Sequence, residues 1–202
     1  QYEKVLSEEG HIIPNFEKRK DLIRVEVLKQ GSLANAIAVI DEELLDEVTS
    51  LVEYPIALTG EFDSEFLKVP PEALILAMKT HQKCFHMNDA EGNLLPKFIT
   101  VSNIRSKDPL QVVKGNERVI RPRLADAKFF FETDKQLSLE SRLEGLRNLV
   151  FQNKLGSIHD KVERVAKISK SIAKSLSISE TNCERASLLS KCDLLTDMVR
   201  EF

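Results

Sequence analysis

With 202 residues, the chain has room for one domain or two small ones. Its 42% hydrophobic and 30% charged content is that of a soluble globular protein, which argues against wholesale disorder. Charged residues interrupt every apolar run well short of the roughly 18 residues that span a bilayer, so no membrane role is expected. Net charge is -3, distributed unevenly: residues 1–96 carry 9 Lys or Arg against 18 Asp or Glu, residues 97–128 carry 8 against 3, and the remainder 12 against 11.

Gln1 to Gly10 have neither an initiator Met nor the layout of an export signal, so the numbering is expected to start inside a longer chain. Glu17 to Gln30 reads as a helix with Leu22, Val25 and Leu28 on its apolar face and Gly31 as its stop. A strand over Ile37 to Ile40 gives way at Asp41, a cap for a helix to about Glu53 with Leu44, Leu45, Val48, Leu51 and Val52 as its stripe. Ile56 to Thr59 is a short strand and Gly60 opens a turn. Pro70 and Pro71 introduce another helix, directing Ala73, Leu74, Ala77 and Met78 to a core. Cys84 to Met87 and Leu94 to Val101 form a hairpin around a polar turn, with Pro96 arguing for an edge position. Asn103 to Pro109 is a loop, and the run from Gly115 to Phe131 begins in a turn and ends as a helix or packed irregular segment. From Ser138 the pattern is nearly continuous helix. Its faces are Leu139, Leu143, Leu146 and Val150; then Ile158, Val162, Val165, Ile168 or Ser169, Ile172 and Leu176; and finally Leu188, Leu189, Cys192, Leu195 and Val199. The fold class is α+β, a mixed module over 1–135 followed by a helical segment over 136–202.

Chemistry-bearing motifs are sparse. There is no GxxxxGK[ST], GxGxxG or HExxH, and the glycines are scattered. Cys84, Cys183 and Cys192 form no CxxC pair and suit a reducing compartment as small hydrophobes. His81 and His86 flank Cys84, but a helix-to-strand change separates them and no third member follows, so packing or ligand contact explains them better than nucleophilic catalysis. His159 and Asp160 are adjacent potential metal ligands; with only Asp193 as a further candidate the set is incomplete, and a surface or helix-start role is expected.

The strongest constellation runs from Gly115 to Phe131. Arg118, Arg121 and Arg123 present planar multiple donors suited to phosphate, Lys128 adds a mobile charge, and Asn116 offers an amide. Glu117 and Asp126 are able to satisfy those arginines internally. Phe129, Phe130 and Phe131 cannot share one helical face, so at least one is expected in a core. Nucleic-acid contact, internal anchoring and a protein interface all remain open from spacing alone.

The stretch GNERVIRPRLADAKFFFETD resembles the hallmark region of the β subunit of bacterial two-subunit glycyl-tRNA synthetase. The likeness extends through LLDEVTSLVEYPIALTGEF, VPPEALILAMKTHQKCF, LLPKFITVSNIRSKDP, FQNKLGSIHDKVERV and LLSKCDLLTDMVREF, nearly the whole chain. The resemblance implies an internal part of that subunit: a module similar to the B3/B4 part of phenylalanyl-tRNA synthetase, then the truncated start of a degenerate HD-like helical domain. It implies a cytoplasmic ligase in which the α subunit activates glycine using ATP and Mg2+, with no cofactor in this segment, which alone is expected to be inactive. The implied partners are the α subunit, tRNA-Gly and other domains of β. Nucleic-acid-binding candidates are Lys97, Asn103, Asn116, Arg118, Arg121, Arg123 and Lys128, with no catalytic or metal-binding residue. A purely structural module and an HD-like phosphohydrolase are the alternatives. Lys191 stands where such a hydrolase would invite an imidazole, and Asp160 falls on the acidic position of the family's LG-x-x-x-DK segment.

Overall fold

The computed structural model describes residues 2–201. It divides into two compact units, Gln1–Lys128 and Phe129–Phe202.

In the first unit, α1 (Tyr2–Glu8) precedes α2 (Phe16–Leu33), whose first turn is capped by the Asn15 Oδ1 accepting from the Lys18 amide at 2.9 Å. The apolar face of α2 differs from the expected one. Ile23, Val27 and Gly31 are buried at four-residue steps, whereas Val25 and Leu28 are exposed. Gly31 does not stop the helix. It lies inside it against Ala38, where a Cβ would come within 2.8 Å of the Ala38 nitrogen.

Strand β1 (Ile37–Ala38) is shorter than expected. Helix α3 (Glu42–Leu51) starts on Asp41 as anticipated, with the Leu44 amide donating to Asp41 Oδ1 at 2.9 Å. Its stripe is Leu44, Leu45, Val48 and Val52; Leu51 points outward. The other Asp41 oxygen accepts from Lys79 Nζ at 2.6 Å. Lys79 foremost, and then the Leu44 amide, hold the Asp41 carboxyl below the usual carboxylate range.

Strand β2 (Ile56–Glu61), a 3-10 turn over Ser64–Lys68, α4 (Pro71–Leu76) and a single π turn over Ala77–His81 lead to β3 (Phe85–Asn88) and β4 (Leu94–Ser102). The four strands form an antiparallel sheet in the order β1-β3-β4-β2. Because strand side chains alternate between faces, Ala57, Phe85, Met87, Ile99 and Val101 join Ile23, Val27, Leu45 and Val48 in the core beneath α2 and α3. Phe98 and Thr100 take the opposite face.

Two expectations about this sheet are corrected. Gly60 is a strand residue paired with Phe98, not the start of a turn, and a Cβ there would lie 2.4 Å from Phe98 Cζ. The absence of a side chain lets the buried Phe98 ring lie over the neighbouring backbone. Pro96 lies on a central strand, not an edge. The register between β3 and β4 shifts at this point, with Asn88 facing Leu94 and His86 facing Phe98, and such a bulge accommodates a residue that donates no ladder hydrogen bond.

Helix α5 (Pro109–Asp134) is continuous over 26 residues and contains both Gly115 and Pro122. The expected turn at Gly115 is therefore absent. Tertiary packing outweighs local propensity here: Ile120, Leu124 and Ala127 are buried, and polar bonds tie the helix to the rest of the unit. The Glu61 amide donates to Glu117 Oε1 at 3.0 Å, and Thr100 Oγ1 lies 3.4 Å from Asn116 Oδ1.

The second unit is less uniformly helical than its sequence pattern indicates. A short α6 (Leu139–Arg142) runs into a 3-10 turn over Leu143–Asn148, then a hairpin of β5 (Val150–Gln152) and β6 (Gly156–Ser157). Helices α7 (Ile158–Ser175) and α8 (Glu180–Leu189) follow, then a 3-10 turn over Cys192–Leu195 and α9 (Asp197–Glu201). Leu146, Val162 and Cys192 centre its core, with Leu143, Leu149, Ile158, Leu189 and Leu195 around them. On α7 the buried positions are His159, Val162, Ala166 and Ala173, whereas Val165, Ile168, Ile172 and Leu176 are exposed. Val150 and Val199 are also exposed, contrary to the expected faces.

One carboxylate organises this unit's ends. Asp134 Oδ1 accepts from Arg142 Nη2 at 2.8 Å and from the Asp197 amide at 3.0 Å, while Oδ2 accepts from the Met198 amide at 2.9 Å. Arg142 is 9% exposed and also donates to the Leu137 carbonyl at 2.9 Å.

Three stability measurements test these interactions. Gly60→Val is expected to cost about 1–3 kcal/mol in urea unfolding, because the added carbons displace the Phe98 ring. Asp134→Ala strands the buried Arg142 guanidinium and is expected to cost about 3–5 kcal/mol in the same measurement. Asp41→Ala is expected to cost about 1 kcal/mol at pH 7. Since the folded-state pKa of Asp41 is depressed, its contribution is complete above the unfolded value of about 4 and is lost as pH falls through the lower folded value. The gap between wild type and Asp41→Ala should accordingly close on acidification; a gap constant from pH 7 to pH 3 would refute the charged-cap account.

Candidate nucleic-acid interface

The seven candidate residues separate into two sets. Lys97 Nζ pairs with Glu61 at 3.5 Å, and Lys128 Nζ donates to Glu65 at 2.7 Å beside the Phe66 ring. Asn103 Oδ1 accepts from the Glu53 and Tyr54 amides at 2.7 and 3.0 Å, fixing the chain before β2. Asn116 donates through Nδ2 to the Val112 carbonyl at 2.9 Å. Each of these four is engaged within the first unit.

Arg118, Arg121 and Arg123 differ. All three are exposed on α5, and none has an ion pair or hydrogen bond with another described residue. The internal pairs that Glu117 and Asp126 offered are not formed with them: Glu117 bonds the Glu61 amide instead. An exposed guanidinium without a carboxylate partner retains its full set of donors for an external anion.

Helix geometry sorts the arginines further. At 3.6 residues per turn, Arg118 and Arg121 lie three apart on the same side, whereas Arg123 falls on the opposite flank of the buried Ile120–Leu124–Ala127 stripe. Lys114, four residues before Arg118, extends the row by one turn, and it too is exposed with no partner among the described residues. Sequence reasoning passed over Lys114, although its i, i+4, i+7 spacing with Arg118 and Arg121 marks it once α5 is known to be helical through Gly115. The row places three cations along one side of a helix over two turns, about 10 Å. That spacing suits successive backbone phosphates more than a small anion.

The phenylalanines are not a core anchor of the expected kind. Phe129 is 65% exposed and meets Phe130 edge to face at 5.6 Å, while Phe130 and Phe131 are half-buried. Lys135 Nζ lies 5.2 Å from the Phe131 ring centroid.

The remaining chemical candidates have different environments. Cys84 is buried, and exclusion of water from its sulfur pushes the thiol up to about 12, so it keeps its proton at neutral pH and is unsuited to act as a nucleophile. Burial also lowers the His86 pKa. His159 is at the start of α7 as expected but is buried, not on the surface. Asp160 closes the capping box of that helix: Ser157 donates to its Oδ2 through the amide at 2.7 Å and the hydroxyl at 2.9 Å, which lowers the carboxyl pKa. Cys192 is a core thiol, and Lys191 is exposed beside it. Among the described residues, no helix is long and apolar enough to cross a membrane.

Comparison with known proteins gives a consistent answer. A family model described as "Glycyl-tRNA synthetase beta subunit" matches residues 1–202. Proteins named "Glycine--tRNA ligase beta subunit" from Psychromonas ingrahamii and Marinobacter nauticus are each 54% identical over 202 residues, all of this chain. The protein of that name from Coxiella burnetii is 50% identical over 201 residues. The chain spans 29% of the length of each of these relatives. A family match over every residue, together with identity of 50–54% to its members, establishes that this chain belongs to the glycyl-tRNA synthetase β-subunit family.

Proposed function

We propose that the chain acts as a tRNA-handling part of a glycyl-tRNA synthetase β subunit, holding tRNA-Gly for ATP-dependent glycylation carried out by the α subunit. The observation that carries this reading is the Lys114, Arg118 and Arg121 row, exposed on α5 and without partners among the described residues, while Lys97 and Lys128 are engaged by carboxylates. A row of free cations gives affinity and register on a phosphate backbone without supplying a nucleophile or an adenylate-binding group. ATP and Mg2+ belong to the α subunit in this account, which acts in the cytoplasm. Within it, the first unit serves as a B3/B4-like module and the second as the start of a degenerate HD-like domain; other domains of β complete the surface for tRNA.

Phe129 favours a second role alongside the first. An exposed aromatic about two turns beyond Arg121 on α5 suits the centre of a protein interface, with the α subunit or another part of β as its partner.

The test uses the complete α/β enzyme carrying Lys114→Gln, Arg118→Gln and Arg121→Gln together. Affinity for tRNA-Gly is expected to fall, and the slope of log K against log salt to diminish by about 0.7–0.9 for each phosphate no longer neutralised, with αβ assembly unchanged by size-exclusion chromatography. Retained affinity and slope in an assembled enzyme would overturn direct phosphate binding by this row. Failure of assembly with intact folding would favour the interface role.

A further inference from the structure

The start of α7 holds a cluster that the RNA-handling role leaves unused. His159, Asp160 and Glu163 present one ligand atom each, all within 4.8 Å of one another, and they form the only such group of three among the described residues. His159 and Glu163 are one helical turn apart, with His159 Nδ1 3.7 Å from Glu163 Oε1. His159 is 3% exposed, and its Nδ1 is a buried polar atom with no hydrogen-bond partner among the described residues. A buried ring nitrogen left without a partner is costly, and here it faces a carboxylate.

The other edge of the ring supplies an independent indication. Nε2 lies 3.9 Å from Glu144 Oε1, and Glu144 is itself held by Arg147 Nε at 2.8 Å. An imidazole that ligates a metal commonly directs its second nitrogen toward a carboxylate, which fixes the tautomer and the ring orientation. A carboxylate on the Nε2 edge suits Nδ1, on the side of Glu163, as the coordinating atom.

We propose that His159 Nδ1, Glu163 and Asp160 bind a divalent first-row cation of the Zn2+ class, with water completing the coordination. Mixed imidazole and carboxylate donors suit that class better than Mg2+ or Ca2+, which take oxygen ligands. Donors about 2.0–2.2 Å from a shared ion stand roughly 3–4 Å apart, so the 3.7 Å pair is already at the separation two ligands require, and all three ligand atoms lie within 4.8 Å of one another. The Ser157 hydrogen bonds occupy Asp160 Oδ2, leaving Oδ1 as the donor. Because the N-terminal end of α7 carries positive dipole charge, an imidazole alone would not hold a cation there; the two carboxylates offset that field. Sequence reasoning sought a further ligand for His159 and Asp160 in Asp193. The ligand it passed over is Glu163, whose i+4 spacing from His159 becomes informative once α7 is placed.

The experiment is Zn2+ titration of the full β subunit by calorimetry, with Co2+ absorption as a second probe, on wild type, Glu163→Gln and His159→Ala. Wild type is expected to bind Zn2+ at micromolar or lower concentration and to give visible Co2+ bands. Glu163→Gln, a change at an exposed position that should leave the metal-free melting temperature unaltered, is expected to weaken this site at least tenfold, and His159→Ala to abolish it. Equal Zn2+ stoichiometry and affinity in wild type and a folded Glu163→Gln would overturn the proposal, as would absence of Zn2+ binding by wild type at millimolar concentration.

Discussion

The second unit depends on the carboxylate of Asp134. It pairs with an almost fully buried guanidinium eight residues on and caps the amides that open α9, more than sixty residues away, so two segments converge on its two oxygen atoms. Such a group tolerates replacement poorly because each partner is left uncompensated together with the others. Hydrophobic burial around Leu146, Val162 and Cys192 supplies attraction without direction; Asp134 supplies the direction. A unit of this size with several short helical turns needs that kind of fixed point, since short turns bring little stability of their own.

In the first unit a sheet covered on both faces does the corresponding work. Helices α2 and α3 lie on one side, and α5 is tied to the other through Asn116 and Glu117. The consequence for function is that α5 is braced along its inner stripe, leaving its outer side free to carry unpaired charge. A cation on a loop would give up more freedom on engaging a polyanion than one on a braced helix. The same bracing lets α5 continue through Pro122, where the missing N–H removes one internal hydrogen bond but not the packing of Ile120, Leu124 and Ala127.

Much of this was legible in the sequence where one residue has a narrow chemical task. Asp41 as a cap, the proline entry to α4 and the hairpin of β3 and β4 could be read because few residue types perform those jobs. Family membership was legible from motif order. Helix faces were less so. Helix α2 carries Leu22, Ile23, Val25, Val27 and Leu28 around most of its circumference, so spacing did not select the side that Gly31 and Ala38 fix by close approach. On α7 the larger apolar residues were read as the core, yet the buried positions include Ala166 and Ala173, and Ser169 Oγ bonds the Cys183 carbonyl of α8. Close helix approach favours small residues, which hydrophobicity alone undervalues. The basic row was partly legible: the arginines drew attention by type, whereas Lys114 and the separation of Arg123 emerged only from the continuity of α5 through Gly115.

The Gly60–Phe98 pair also bears on how the chain folds. Strands β2 and β4 are separated by a 3-10 turn, α4 and β3, so their pairing closes a long loop at a cost in chain entropy. A shift of one residue would bring the Phe98 ring opposite Thr59 or Glu61 and move every β4 side chain to the other face. Only one alignment presents a bare backbone to that ring. The smallest residue in β2 thus acts as a register key, letting a non-local pairing reject its near neighbours sterically.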